Sequence, residues 1–192
     1  LATDAALLGC PQDQGRRMAR SAVAAAPAAQ SHLVLTGDHV GPIPAATTRA
    51  QLATFARVVR DTVEEGDEAI PESVAVLAVG RDTVRAVIDS GRVYYLFVDS
   101  PHIRTHDSLG VGTQLVRLTR EPGVTGFVYE CCTFVHVPRY CGLTFLIPAD
   151  SAPVDGGAVD AAALKRMPPE TRVLQVRISV CTHGPTAPPA SQ

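Results

Sequence analysis

The chain has 192 residues, 46% of them hydrophobic and 19% charged, with a formal net charge of -2. That composition is globular rather than disordered, and the length suits one domain with a substantial core. The charge leaves no basic footprint for nucleic acid, and no apolar run approaches the roughly 20 residues of a membrane helix.

In chain order, Gly15 to Ala26, "GRRMARSAVAAA", is Ala-rich and helix-favouring, and Pro27 limits its extension. The stretch "TGDHVGPIP" reads as a loop. Thr48 and Gln51 then form a capping-box pattern before Leu52, Phe55, Val59 and Val63 at helical spacing, which predicts a helix ending near Gly66. Three β signals follow: "VAVLAV" from Val74, "TVRAVI" from Thr83 and "VYYLFV" from Val93. The last two are joined by "DSGR", a hairpin turn. Gly112 precedes another predicted strand, "TQLVRL", and residues 123–132 read as a short helix. "LTFLIP" from Leu143 is a strand ended by Pro148, "DSAPVDGGAVD" is a loop, and "RVLQVRISV" alternates like a final strand. Helices first and a mostly antiparallel sheet afterwards define an α+β class. The domain spans residues 1–180, and residues 181–192, "CTHGPTAPPASQ", form a flexible tail.

Five cysteines, Cys10, Cys131, Cys132, Cys141 and Cys181, are odd in number and follow no disulfide framework, so reduced thiols in an intracellular setting are expected. The N-terminus lacks the basic flank and apolar segment of a secretory signal peptide. It also lacks an initiator Met, which fits a processed product or a fragment. Cys131, Cys132, His136 and Cys141 cluster in sequence but match no zinc spacing. "LGVGT" and "DGG" lack the strand–loop–helix frame of a phosphate loop. Neither a metal nor a cofactor is expected.

The residues that invite a catalytic reading are in "VYYLFVDSPHIRTH". A carboxylate such as Asp99 can fix the tautomer of an imidazole such as His102 and stabilise its cation. The plainer reading is a structural turn, because Asp, Ser and Pro are ordinary turn residues. A Cys–His site would also need a thiolate stabilised at a helix N-terminus. Cys10 instead sits before Pro11 in a polar stretch, ahead of the first predicted helix.

From "VLAVG" through "FLIP", residues 74–148, the order of features resembles the ubiquitin-specific cysteine protease at the N-terminus of herpesvirus large tegument proteins. "VYYLFVDSPH", "GTQLVRL", "GFVYECC" and "LTFLIP" carry the similarity. The resemblance implies a papain-like cysteine protease fold, with N-terminal helices packed on the sheet. It also aligns "GRRMARSAVAAA" with the context of the family's nucleophilic cysteine, with Met18 at that position and Ala5 at the position of the oxyanion glutamine. A thioether cannot form a thiolate, and an alanine side chain donates no hydrogen bond to an oxyanion. Two residues separate Asp99 from His102 where the family has one. The resemblance therefore implies a catalytically inactive relative: a protein-interaction or structural module of a virus particle or of the host cytoplasm, with viral structural proteins or ubiquitin as partners. The alternative is an active deubiquitinase using Cys10 with His102 and Asp99.

Overall fold

The segment read as a loop before Thr48 contains a small hairpin, β1 (His39–Val40) and β2 (Ile43–Pro44), turned at Gly41 with a φ of 55°. The computed structural model describes residues 33–65, 70–129, 132–149 and 157–181, all within a unit that begins at Ser31. The predicted helix at Gly15 to Ala26 lies outside the described residues, as does the predicted tail, residues 181–192, except for Cys181, which is fixed beside the sheet by its disulfide to Cys141.

The capping box forms as predicted. The Gln51 amide donates to Thr48 Oγ1 at 3.3 Å, and the Thr48 amide donates to Gln51 Oε1 at 3.1 Å. A 3-10 turn, Arg49–Gln51, runs into α1 (Leu52–Phe55), and the helix stops there. Residues Arg57–Glu65 are strand β3, which corrects the helix predicted to reach Gly66. Val58, Val59, Thr62 and Val63 are β-branched and favour a pleated surface. Pairing with β4 (Pro71–Val79) gives them a ladder that a short isolated helix could not match.

β4, β5 (Asp82–Asp89) and β6 (Arg92–Val98) form an antiparallel meander at the predicted positions. The "DSGR" turn has Ser90 and Gly91 at φ 48° and 76°, as a two-residue hairpin turn requires. Two further predictions reverse. "TQLVRL" contains helix α2 (Leu115–Leu118), whose buried residues Leu115 and Leu118 stand three apart, a helical spacing. Residues 123–132 contain no helix among those described; β7 (Thr125–Tyr129) alternates exposed and buried and pairs with β8 (Cys132–His136). These are two of the four segments that carry the similarity to the tegument protease.

β9 (Leu143–Pro148) is the predicted apolar strand. β10 (Gly157–Val159) leads into α3 (Ala161–Arg166), capped by Asp160, whose carboxylate accepts from the Ala163 amide at 2.7 Å. The last strand, β11 (Gln175–Ile178), falls within the predicted "RVLQVRISV".

Among the described residues nine strands make one antiparallel sheet, in the order β10-β7-β8-β9-β11-β6-β5-β4-β3. β11 lies between β9 and β6 and so joins the two meanders. On one face Val98, Val176, Phe145 and Val135 stand side by side on four successive strands, all fully buried. Burying such a side chain is worth about 1.5–3 kcal/mol. The α+β class with a mostly antiparallel sheet is thus observed. The described α-helices are four, four and six residues long, and no long helix lies on the sheet among the described residues.

The reduced-thiol expectation is corrected at two positions. Cys141 and Cys181 form a disulfide, with Cα atoms 5.3 Å apart across 40 residues of sequence. It sits where the β9–β11 pair ends, and the Ser179 amide donates to the Gly142 carbonyl at 2.9 Å beside it. Gly142, at φ 89°, is packed so tightly that a Cβ would lie 2.0 Å from the Gly37 carbonyl oxygen; only glycine fits. The pairing was not legible because its partners meet only through the order of strands. Cys141 is thereby removed from the cysteine–histidine cluster, and Cys132 is buried.

Candidate functional site

His102 is oriented by a carboxylate, but the carboxylate belongs to Asp82. Asp82 opens β5 and His102 follows β6, so the hairpin brings together residues 20 apart in sequence. Next to the turn, Ile88 faces Val93; a bulge then shifts the register, so that Val87 faces Tyr95. Carried to the end of the ladder, that one-residue shift sets Ser100 rather than Asp99 beside Asp82. The Ser100 hydroxyl donates to Asp82 Oδ1 at 2.7 Å, and His102 Nδ1 lies 3.1 Å from the same oxygen. The His102 amide donates to Ser100 Oγ at 3.1 Å, closing the turn. Asp99 faces elsewhere: its Oδ1 accepts from Gln175 Nε2 at 2.5 Å. The expected Asp99–His102 pairing is therefore replaced by Asp82–His102, with Asp99 tied to β11.

The chemistry of this cluster follows from which nitrogen is engaged. An acid at Nδ1 fixes the tautomer that leaves Nε2 as the base, and a nucleophile must then approach Nε2. Ser100 is 3.3 Å from Nδ1, on the same side as the acid, and gives its proton to Asp82. It is a turn residue here, not an activated nucleophile. Met18, Ala5 and Cys10 lie outside the described residues. Two open grooves, of about 460 and 500 Å³, are lined around Asp160 and around Glu121, and His102 lines neither. Among the described residues no group of three or more His, Cys, Asp or Glu side chains could hold a metal ion.

A second polar cluster joins three loops. The Tyr140 hydroxyl donates to Asp107 Oδ2, while Arg139 reaches Asp107 at 2.9 Å and Glu121 at 2.7 Å. The Arg139 guanidinium lies 4.8 Å from the centre of the Tyr140 ring, within the range of a cation–π contact. The Tyr140 hydrogen bond, with help from Arg139, His106 and Arg117, holds the Asp107 carboxyl below its ordinary pKa. Burial, and then the bond to Asp107, push the Tyr140 phenol up. Nearby, Arg104 donates to the carbonyls of Pro101, Ser108 and Val111. These arginines fasten loops and leave "LGVGT" wrapped around a side chain instead of open to a phosphate. No local pattern joins Asp107, Glu121, Arg139 and Tyr140, which come from separate loops, and none joins Asp82 to His102 across the hairpin.

The face of the sheet opposite the core carries aromatic rings and cations. Arg177 lies 4.4 Å from the Tyr95 ring centre and 4.8 Å from that of Phe134, and Arg85 lies 5.6 Å from that of Phe97. Phe127, opposite Phe134, and Tyr129, opposite Cys132, are 45% and 40% exposed. At the edge of this face His136 is accessible to solvent. Protein atoms nonetheless crowd its ring, and that crowding, with the Arg177 charge, keeps its pKa below the ordinary histidine value; the exposure keeps the effect small. An apolar strip mixed with arginine has the composition of many protein-binding surfaces.

Comparison with known proteins leaves this geometry as the main guide. No protein family matches the chain, and no curated protein matches it. Among solved structures it is similar to yfeY, an uncharacterized protein from Escherichia coli, at a TM-score of 0.51 and 12% sequence identity. The similarity covers 77% of this chain and 99% of that one, and at this identity it speaks for the fold alone.

Proposed function

We propose that this chain is a non-catalytic protein-interaction or structural module. The observation that carries this reading is the division of the expected dyad: His102 belongs to Asp82 and Ser100, and Asp99 belongs to Gln175. The aromatic and arginine-bearing face of the sheet supports an interaction role. The narrower expectation, a papain-like, herpesvirus deubiquitinase-like scaffold in a virus particle, rests on motif order and on the "GRRMARSAVAAA" context with Met18 and Ala5, which lies outside the described residues. Two of its segments differ in type from the elements described above, so we do not extend the proposal to it. The disulfide favours a setting where thiols are oxidised over the reduced interior expected from the cysteine count.

The test is a ubiquitin vinyl-sulfone probe on the full chain. No covalent adduct is expected. An adduct that disappears in Cys10→Ala and in His102→Ala would overturn the reading in favour of an active cysteine deubiquitinase. Titration with ubiquitin, followed by NMR, decides whether ubiquitin is one of the partners. Maleimide labelling of protein isolated without reductant checks the setting; it is expected to leave Cys141 and Cys181 unlabelled.

A further inference from the structure

We infer that β3 is a self-association edge, through which two copies of this chain join their sheets by antiparallel pairing about a two-fold axis at Thr62. The inference goes beyond the proposed function and does not rest on it. Among the described residues β3 pairs with β4 alone, and it ends the sheet with nine residues, whereas the opposite edge, β10, has three. A long uncovered edge is a template for another strand unless charges or bulges block it. Here Val59 and Val63 are 42% and 66% exposed on that strand.

The charges of β3 are sorted rather than scattered. Its sequence "RVVRDTVEE" has Arg57 and Arg60 in the first half and Glu64 and Glu65 at the end. Antiparallel pairing of two copies sets the basic half of each against the acidic end of the other, the self-complementarity that a two-fold interface demands. The register follows from the same charges. With the axis at Thr62, Arg60 of each copy faces Glu64 of the second copy, Thr62 faces Thr62, and Asp61 faces Val63. With the axis at Asp61, which is already ion-paired with Arg49, Arg60 would face Thr62 and Glu64 would face Val58, so the opposite-charge pairs would be lost.

Arg60 reaches its own Glu64 at 3.4 Å, along the strand, and Glu64 also meets Arg85 at 2.8 Å. Residues four apart on a strand are about 13 Å apart along the chain, whereas directly paired residues have Cβ atoms about 5 Å apart. The cross-strand partner is therefore the easier one for Arg60. The bulge between Val58 and Arg60 interrupts the ladder near the start of β3, so pairing is confined to the stretch around Thr62. An interface of this size gives a weak dimer that responds to concentration.

Sedimentation velocity across a concentration series is the experiment. The wild-type chain should pass from monomer to dimer. Arg60→Glu and Glu64→Arg should each weaken the dimer by about tenfold or more, because each places like charges opposite one another at both pairs. An equimolar mixture of the two variants should recover dimer, since both pairs are then of opposite sign. Mild oxidation of Thr62→Cys should yield a covalent dimer that the wild type does not form, a readout that stands even if Glu64→Arg fails to fold. A wild-type chain that stays monomeric to millimolar concentration, a mixture that behaves like its components, or a Thr62→Cys variant that does not cross-link would each overturn the inference.

Discussion

Breaking the Cys141–Cys181 bridge should destabilise the fold by an amount that its position fixes. The two cysteines are 40 residues apart. Closing a loop of that length removes about 13 cal/mol/K from the unfolded chain, or about 4 kcal/mol at 25 °C. The strands next to the bridge stay paired through the β9–β11 ladder, so the reduced protein should keep its sheet while the unfolded state gains freedom. For a domain of this size each kcal/mol moves the melting temperature by about 2–4 °C, giving an expected fall of about 8–16 °C. Thermal melts followed by circular dichroism, with and without reductant, provide the measurement. The double variant Cys141→Ser/Cys181→Ser serves as the control, because reductant should not shift its melt further. If thiol titration shows the bridge fully reduced and the melt moves by less than about 2 °C, the loop-entropy reasoning fails.

Phe145 is fully buried between Val176 and Val135, and Phe145→Ala should cost about 3–5 kcal/mol in a denaturant titration. Tyr140→Phe removes the hydrogen bond that most lowers the Asp107 pKa; NMR titration should show that carboxyl moving up toward its ordinary range. His136 has a pKa lowered in the folded state by crowding and by Arg177, so the unfolded chain binds its proton first as pH falls. Stability is then full above about pH 6.5 and declines below it, levelling off below the lowered folded value. His136→Gln should flatten that part of the stability profile.

The sequence, read alone, was right where structure is written locally. Apolar, β-branched runs marked β4, β5, β6 and β9, alternation marked β11, the Ser90-Gly91 turn marked a hairpin, and Thr48 with Gln51 marked a helix start. Each of these depends on residues within one element or one turn. It failed where two local readings compete. Val59 and Val63 fit a helix face as well as a strand, and the choice fell to β4, which supplies the backbone partners. "TQLVRL" and residues 123–132 fell the opposite way from their predicted types: the three-residue spacing of buried Leu115 and Leu118 is helical, and the β-branched and aromatic residues of β7 alternate and pair with β8.

The candidate site shows the same division. Asp99 and His102 were visible as a carboxylate and an imidazole close in sequence, but proximity along the chain did not pair them. A single bulge in the β5–β6 hairpin gave His102 to Asp82, and the insertion of β11 beside β6 gave Asp99 to Gln175. The sequence by itself determined composition, strand periodicity and turn chemistry, all short-range properties of the chain. Tertiary structure alone decided the sheet order, the histidine's partner and the disulfide. The histidine and its carboxylate are 20 positions apart, the two cysteines 40, and the placing of β11 between β6 and β9 is equally long-range, so none of these contacts carries a signature in the local residue pattern.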